Sequence, residues 1–82
     1  MGNTRDELAA DIARQTAALV DELRQRVFEE INRARQGRQK AFRVKMPDSM
    51  KLGEEKVIIA EFSGPEHGFT VTSNGRELNF SI

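Results

Sequence analysis

The side chains most used in catalysis are sparse in this chain, and His67 is the first candidate. It is the only histidine, and it follows Glu66 in the run Ser63-Gly64-Pro65-Glu66-His67-Gly68. A carboxylate beside an imidazole could form a proton-transfer pair, but neighbouring loop residues seldom point at one another. Because glycine and proline indicate a turn here, we expect His67 to be an exposed loop side chain.

Other reaction and metal chemistries lack the residues they need. The chain has no cysteine, and no serine lies in the Gly-x-Ser-x-Gly spacing of a nucleophile elbow. One histidine and scattered carboxylates match no zinc or calcium spacing. The segment Gly53-Glu54-Glu55-Lys56 places acids where a phosphate-binding loop needs backbone NH groups and positive charge. We therefore predict a protein that is not an enzyme and that uses no cofactor or metal.

A cluster of cations is the binding site with the clearest chemical rationale. Residues 33–45, which we call the basic belt, carry six positive side chains and no acid. They are Arg33, Arg35, Arg38, Lys40, Arg43 and Lys45. Such a belt could follow a phosphate backbone, although its one aromatic residue, Phe42, is predicted to point inward and to offer no base-stacking platform. Segments 1–32 and 46–82 each carry a net charge of −3, so an acidic partner protein or the acidic helix of a second copy is an equal alternative.

Composition predicts one soluble domain. The chain has 82 residues, of which 38% are hydrophobic and 32% charged, with thirteen basic and thirteen acidic side chains. This balance is typical of a folded protein, and the length suits a single domain, residues 1–82. No stretch is apolar enough to span a membrane, and no basic-then-apolar leader begins the chain. We expect a cytoplasmic protein that does not bind a membrane.

A long helix is predicted over residues 4–36. The segment contains neither glycine nor proline, and Thr4 and Glu7 have the spacing of a capping box. Gly37 is expected to end the helix in a left-handed conformation. The larger apolar residues, many of them eleven apart, predict a nearly straight stripe, with Phe28 beside it as a core residue or a partner anchor. The stripe consists of Leu8, Ile12, Leu19, Val20, Leu23, Val27, Ile31 and Ala34.

Two strands are predicted between this helix and the Gly/Pro turn at 63–68. Residues 41–46 alternate between apolar and polar side chains, as a half-buried strand does. Residues 56–62 contain the run Val57-Ile58-Ile59-Ala60, which is apolar on both faces and typical of a central strand.

A β-hairpin is predicted at the end of the chain. Asn74-Gly75 favours a two-residue type I′ turn. That turn pairs Ser73 with Arg76 and sets Val71 opposite Leu78. Phe69 is then expected opposite Phe80, on the same apolar face.

The predicted fold is α+β, with one long N-terminal helix (4–36) followed by a four-stranded antiparallel β-meander (41–82) packed on its C-terminal half. A helix of this length spans about 50 Å, whereas such strands span about 20 Å. Since only residues 37–40 connect the two parts, the strands must fold back beside the C-terminal half of the helix. The sheet is expected to cover Leu23, Val27, Ile31 and Ala34, and to leave Leu8, Ile12 and Leu19 exposed.

Exposed aliphatic residues at the start of the helix predict association with another molecule, because covering each is worth roughly 1.5–3 kcal/mol. We predict a small non-enzymatic interaction module, an adaptor or inhibitor, that binds a partner protein through the belt or the sheet. It is expected to self-associate as a homodimer through Leu8, Ile12, Thr16 and Leu19. The alternative is a nucleic-acid-binding accessory protein that uses the basic belt.

Overall fold

The computed structural model describes residues 3–82, so Met1 and Gly2 of the expected domain 1–82 lie outside the described residues. Within that range the chain forms two helices and three strands. In chain order they are α1 (Thr4–Gly37), β1 (Ala41–Lys45), α2 (Lys56–Ser63), β2 (Thr70–Asn74) and β3 (Glu77–Ser81). The strands form one antiparallel sheet in the order β1-β3-β2. Side chains from both helices and from the sheet form a single hydrophobic core.

The predicted four-stranded meander is wrong, because the described residues form only three strands and the expected second strand is helix α2. The β-branched residues at 57–59 favour a strand by propensity. Burial nevertheless follows a helical period: Ile58 and Phe62, four residues apart, are fully buried, whereas Ala60 between them, which a strand would place on the same face, is exposed. Val57 is 56% exposed. A short apolar run does not distinguish a strand from a buried helical segment, and tertiary packing decides the conformation here.

The long helix is confirmed, but its N-terminal cap differs from the prediction. Asn3 is the N-cap, and its side-chain oxygen accepts a hydrogen bond from the backbone NH of Arg5 at 3.0 Å. Thr4 is already the first helical residue. Asparagine and threonine are both good caps, so sequence alone placed the cap one residue late.

The C-terminal cap is also shifted by one residue. Gly37 remains within the helix, and Arg38 takes the left-handed conformation with a φ of 54°. The amide of Gln39 donates to the carbonyl of Ala34 at 2.8 Å, which satisfies part of the last turn.

The β2–β3 hairpin forms, but its predicted register is wrong, because the turn lies one residue further along the chain. Asn74 pairs with Glu77, so Gly75 and Arg76 are the turn residues. Gly75 has a φ of 63° and Arg76 does not have a positive φ, which is typical of a type II′ turn rather than type I′. Val71 consequently lies opposite Phe80. Because the residue opposite Val71 changes by two positions, from Leu78 to Phe80, the apolar side chains stay on one face of the sheet.

The ring of Phe62 lies at the centre of the core, where α1, α2 and the sheet meet. Its centroid is 5.3 Å from that of Phe28 on α1 and 5.9 Å from that of Phe80 on β3, both in edge-on contact. Helix α2 therefore supplies the aromatic side chain that connects α1 to the sheet. The fully buried side chains are Leu23, Val27, Met46, Met50, Ile58, Phe62, Leu78 and Phe80.

An ion pair also fixes α2 against α1. Arg24 donates hydrogen bonds from Nε and Nη2 to the carboxylate of Glu61 at 2.9 to 3.1 Å, and the two side chains are 31% and 30% exposed. These hydrogen bonds raise the pKa of Arg24, against the opposite effect of desolvation. Because arginine is charged at physiological pH in any case, this ion pair holds α2 in position against α1 but does not make the fold sensitive to pH.

Replacing Phe62 with alanine is expected to lower the free energy of unfolding by about 3–5 kcal/mol, because it leaves a cavity in the core. The matched control is Val57→Ala on the exposed face of the same helix, where a change within about 0.5 kcal/mol is expected. Urea unfolding followed by circular dichroism measures both. Equal losses in the two variants would contradict the helical assignment of residues 56–63.

Candidate functional site

The N-terminal half of α1 extends beyond the rest of the molecule. The helix has 34 residues, which corresponds to about 51 Å, and the molecule measures 56 × 25 × 21 Å along its principal axes. The first buried residue of the helix is Val20. We therefore divide the molecule into the arm, residues 4–19, and the head, residues 20–82.

The arm carries exposed aliphatic side chains, as predicted. Leu8 is 59% exposed and Ile12 is 52% exposed, and Thr16 is half-buried. The prediction that Leu19 is bare is wrong, since it is half-buried and packs against the core. The predicted burial of the C-terminal half of the helix is confirmed for Leu23, Val27 and Ala34, which are buried. It is confirmed in part for Ile31, which is half-buried.

The head reaches Leu19 because the loop after β1 extends towards the arm. Met50 in this loop is 1% exposed, and Ser49 lies beside the same cleft as Leu19. Strand length alone does not account for this loop. Leu19 consequently lies at the junction of the arm and the head.

The exposed and buried apolar residues of α1 point in different directions around the helix axis. At about 100° per residue, Leu8, Ile12 and Leu19 fall within about 40° of one another, and we call this side the arm face. Its mean direction differs by about 70° from that of the buried side chains. The buried residues are Val20, Leu23, Val27 and Ala34. The apolar stripe of the arm is therefore rotated away from the stripe that the head buries.

A cleft of about 320 Å³ opens where the arm joins the head. It is lined by Gln15, Ala18, Leu19 and Glu22 of α1 and by Ser49 of the loop after β1. Leu19 belongs both to the arm face and to this junction cleft. Helical spacing alone predicts that Gln15 and Glu22 lie beside Leu19. The position of Ser49 depends on tertiary packing, so no local sequence pattern predicts it.

All six cations of the basic belt are exposed, and five of them line two clefts that share Gln39 and Phe42. Arg33, Arg43 and Lys45 line a cleft of about 430 Å³ that also contains Glu30 and Glu77. Arg33 pairs with Glu30 at 2.6 Å, and Arg43 approaches Glu77 at 3.9 Å. Acids outside the belt sequence therefore partly neutralise this group.

Two of the remaining cations border the neighbouring cleft. Arg35 and Lys40 line this cleft of about 150 Å³, together with Phe69 and Ile82. Among residues 3–82, four belt cations take part in no ion pair. These four are Arg35, Arg38, Lys40 and Lys45.

His67 is not the exposed loop residue that the sequence predicted. It is half-buried, and its ring stacks on Phe62 with centroids 4.6 Å apart and planes inclined by 28°. Phe28 is 43% exposed, and its centroid lies 6.0 Å from that of His67. Phe28 thus packs on α2 and the following turn rather than on the sheet, and His67 extends the aromatic cluster.

Within residues 3–82, no three histidine, aspartate or glutamate side chains are close enough together to hold a metal ion. Neither described helix has the length and apolar character that crossing a membrane requires. The chain matches no protein-family model, and comparisons with curated proteins and with solved structures likewise found no match.

Proposed function

We propose that this protein is a small non-enzymatic interaction module, an adaptor or inhibitor, that self-associates through its arm and binds a second protein with its head. The exposure of Leu8 and Ile12, at 59% and 52%, carries the proposal. Covering a large aliphatic side chain is worth roughly 1.5–3 kcal/mol. A homodimer that covers this pair on both arms gains from four such side chains.

The lack of tertiary support for the arm favours the same conclusion. None of residues 4–19 is buried. In proteins, most of the stability of a helix comes from tertiary packing of its apolar face rather than from helix propensity. Ala9, Ala10, Ala13, Ala17 and Ala18 favour the helix by propensity, and a second arm packed alongside would add the missing contacts.

The head offers two surfaces to a different protein. One is the basic belt, which suits an acidic surface. The other is the outer face of the sheet, where a groove of about 380 Å³ crosses all three strands. Ala41, Arg43, Thr70, Thr72, Asn79 and Ser81 are among its lining residues.

Replacing Leu8 and Ile12 together with glutamate is expected to make the protein monomeric at concentrations where the wild type is dimeric, because the charges would have to be buried at the interface. Sedimentation equilibrium over the micromolar range measures this. Ala10→Glu is the matched control, since it lies about 180° from the arm face on the same helix, and it is expected to leave the dimer intact. A wild-type protein that stays monomeric with a fully formed helix would contradict self-association.

Nucleic-acid binding by the basic belt is a second candidate function. The observation that favours it is the exposure of all six cations, four of them without an ion pair among residues 3–82. Cations of this kind can contact phosphates and release counterions. The pairing of Arg33 with Glu30 and of Arg43 with Glu77 weakens this candidate.

Under this second candidate, the double variant Arg35→Glu, Arg38→Glu is expected to lose retardation of DNA and RNA at low salt while its sedimentation stays unchanged. Lys51→Glu, Lys56→Glu is the matched control, because it makes the same charge change at exposed positions outside the belt. A wild-type protein that retards neither nucleic acid at low salt would eliminate this function.

A further inference from the structure

Strand β1 forms one edge of the sheet, because it pairs only with β3. The amide of Ile82 donates to the carbonyl of Lys40 at 3.1 Å, and the amide of Met46 donates to the carbonyl of Arg76 at 2.8 Å. These two hydrogen bonds fix the phase of the ladder, so the even-numbered residues within 40–46 direct their backbone groups towards β3. The residues whose backbone groups point away from the sheet are Ala41, Arg43 and Lys45.

Most of this outward edge is free of hydrogen bonds within residues 3–82. The carbonyl of Lys45 accepts one from Nη1 of Arg26 at 2.9 Å, which marks the end of the free edge. The groups that remain are the amide and carbonyl of Ala41, the amide and carbonyl of Arg43, and the amide of Lys45. A row of exposed, unpaired backbone groups is a template for a further strand.

The surroundings of this edge are cationic. Arg43 and Lys45 are exposed, and two neighbouring clefts of about 430 and 150 Å³ adjoin β1. Five cations of the basic belt line these clefts, against two acids, Glu30 and Glu77. An excess of positive charge beside an exposed strand favours a segment that carries acidic side chains.

We infer that the free edge of β1 binds an extended, acidic segment of a partner protein, which pairs antiparallel with β1 as a fourth strand of the sheet. This inference rests on the proposed binding of a second protein by the head, and it names the surface and the chemistry of that partner. Antiparallel pairing matches both existing strand pairs and is slightly more stable per residue than parallel pairing. The backbone of β1 supplies hydrogen bonds, and the cations select the side chains of the partner.

The same charges disfavour a second copy of this chain at this edge. Two β1 strands paired along their free edges would bring Arg43 and Lys45 of one copy against the same residues of the other, and like charges on opposing strands are destabilising. Charged residues at an edge protect a sheet from pairing with itself in this way. The other edge strand, β2, carries no charged residue over Thr70–Asn74, so it offers an acidic segment no such preference.

The register of β1 predicts the pattern of the bound segment. In an antiparallel pair, a residue directly opposite Arg43 or Lys45 directs its own amide towards β1 and its side chain to the same face of the sheet. Two acidic residues opposite this pair are therefore two positions apart. The residue between them lies on the face of Phe42, which is half-buried, so an apolar, β-branched residue is favoured there.

A short synthetic peptide that alternates glutamate with valine provides a probe of this pairing. N-methylation of its glutamate amides removes the hydrogen bonds to β1 and keeps the charge, whereas N-methylation of its valine amides leaves those hydrogen bonds available. The first modification is expected to weaken binding about tenfold or more, and the second by less than about twofold. Fluorescence anisotropy of the labelled peptide at low salt measures both.

Two proline variants test the edge itself with the unmethylated peptide. Ala41→Pro removes an outward amide of β1 without a change of charge, and proline is tolerated at the start of a strand and at a sheet edge. Ser73→Pro is the matched control, because Ser73 is exposed and lies opposite Leu78, which directs its backbone groups to β1. Ala41→Pro is expected to weaken binding about fivefold or more, and Ser73→Pro by less than about twofold. Circular dichroism checks that each variant is folded.

A charge variant tests the selection of acidic side chains and leaves the backbone unchanged. Arg43→Gln, Lys45→Gln is expected to weaken binding of the unmethylated peptide about fivefold or more at low salt. Lys51→Gln, Lys56→Gln is the matched control, since it removes the same charge at exposed positions outside the belt, and a change of less than about twofold is expected.

The outcomes distinguish this inference from the function on which it rests. Equal weakening by the two N-methylation patterns, or none by either, would overturn strand pairing, while an acidic partner held by charge alone stands. A wild-type protein that does not bind the peptide would overturn the inference, and retardation of DNA by that same protein would assign the cations to nucleic acid. Self-association is measured separately, by sedimentation of the wild type, and depends on neither result.

Discussion

The length of α1 relative to the layer that packs on it is the constraint on which the rest of the structure depends. The helix has 34 residues, yet its first buried residue is Val20. The sheet cannot extend further, because its strands have five residues each. The head completes a hydrophobic core on the C-terminal half of α1 only, and the arm keeps Leu8 and Ile12 in solvent.

The head completes its core with helix α2, at residues where a fourth strand would instead have widened the sheet. Helix α2 places Phe62 between Phe28 and Phe80, and Glu61 of the same helix accepts hydrogen bonds from Arg24. With α1 and α2 on one face, the other face of the three-stranded sheet stays open. The same arrangement that closes the core thus leaves two kinds of exposed surface, the arm and the outer sheet with its neighbouring cations.

Local signals were sufficient where one pattern dominates. The uninterrupted helix and the alternating strand β1 follow from periodicity, and the exposure of Leu8 and Ile12 follows from lengths alone. Turn chemistry located the hairpin, but it placed the turn one residue early and so gave the wrong cross-strand pairs. The conformation of residues 56–63 could not be predicted, because a short apolar run fits both periods. The positions of Leu19, Ser49 and His67 depend on how a loop and a turn pack against distant elements, for which the sequence has no periodic signal. The junction cleft was missed for that reason.

Amide hydrogen exchange at two protein concentrations tests most directly the claim that a second copy completes the arm. If it does, protection of the amides in residues 8–19 rises when the concentration passes from below to above that of dimer formation, because pairing suppresses opening of the arm. Protection at Leu23 and Val27, which the head already covers, should change little. Equal protection of the arm at both concentrations, across a range where the head remains folded, would contradict the account.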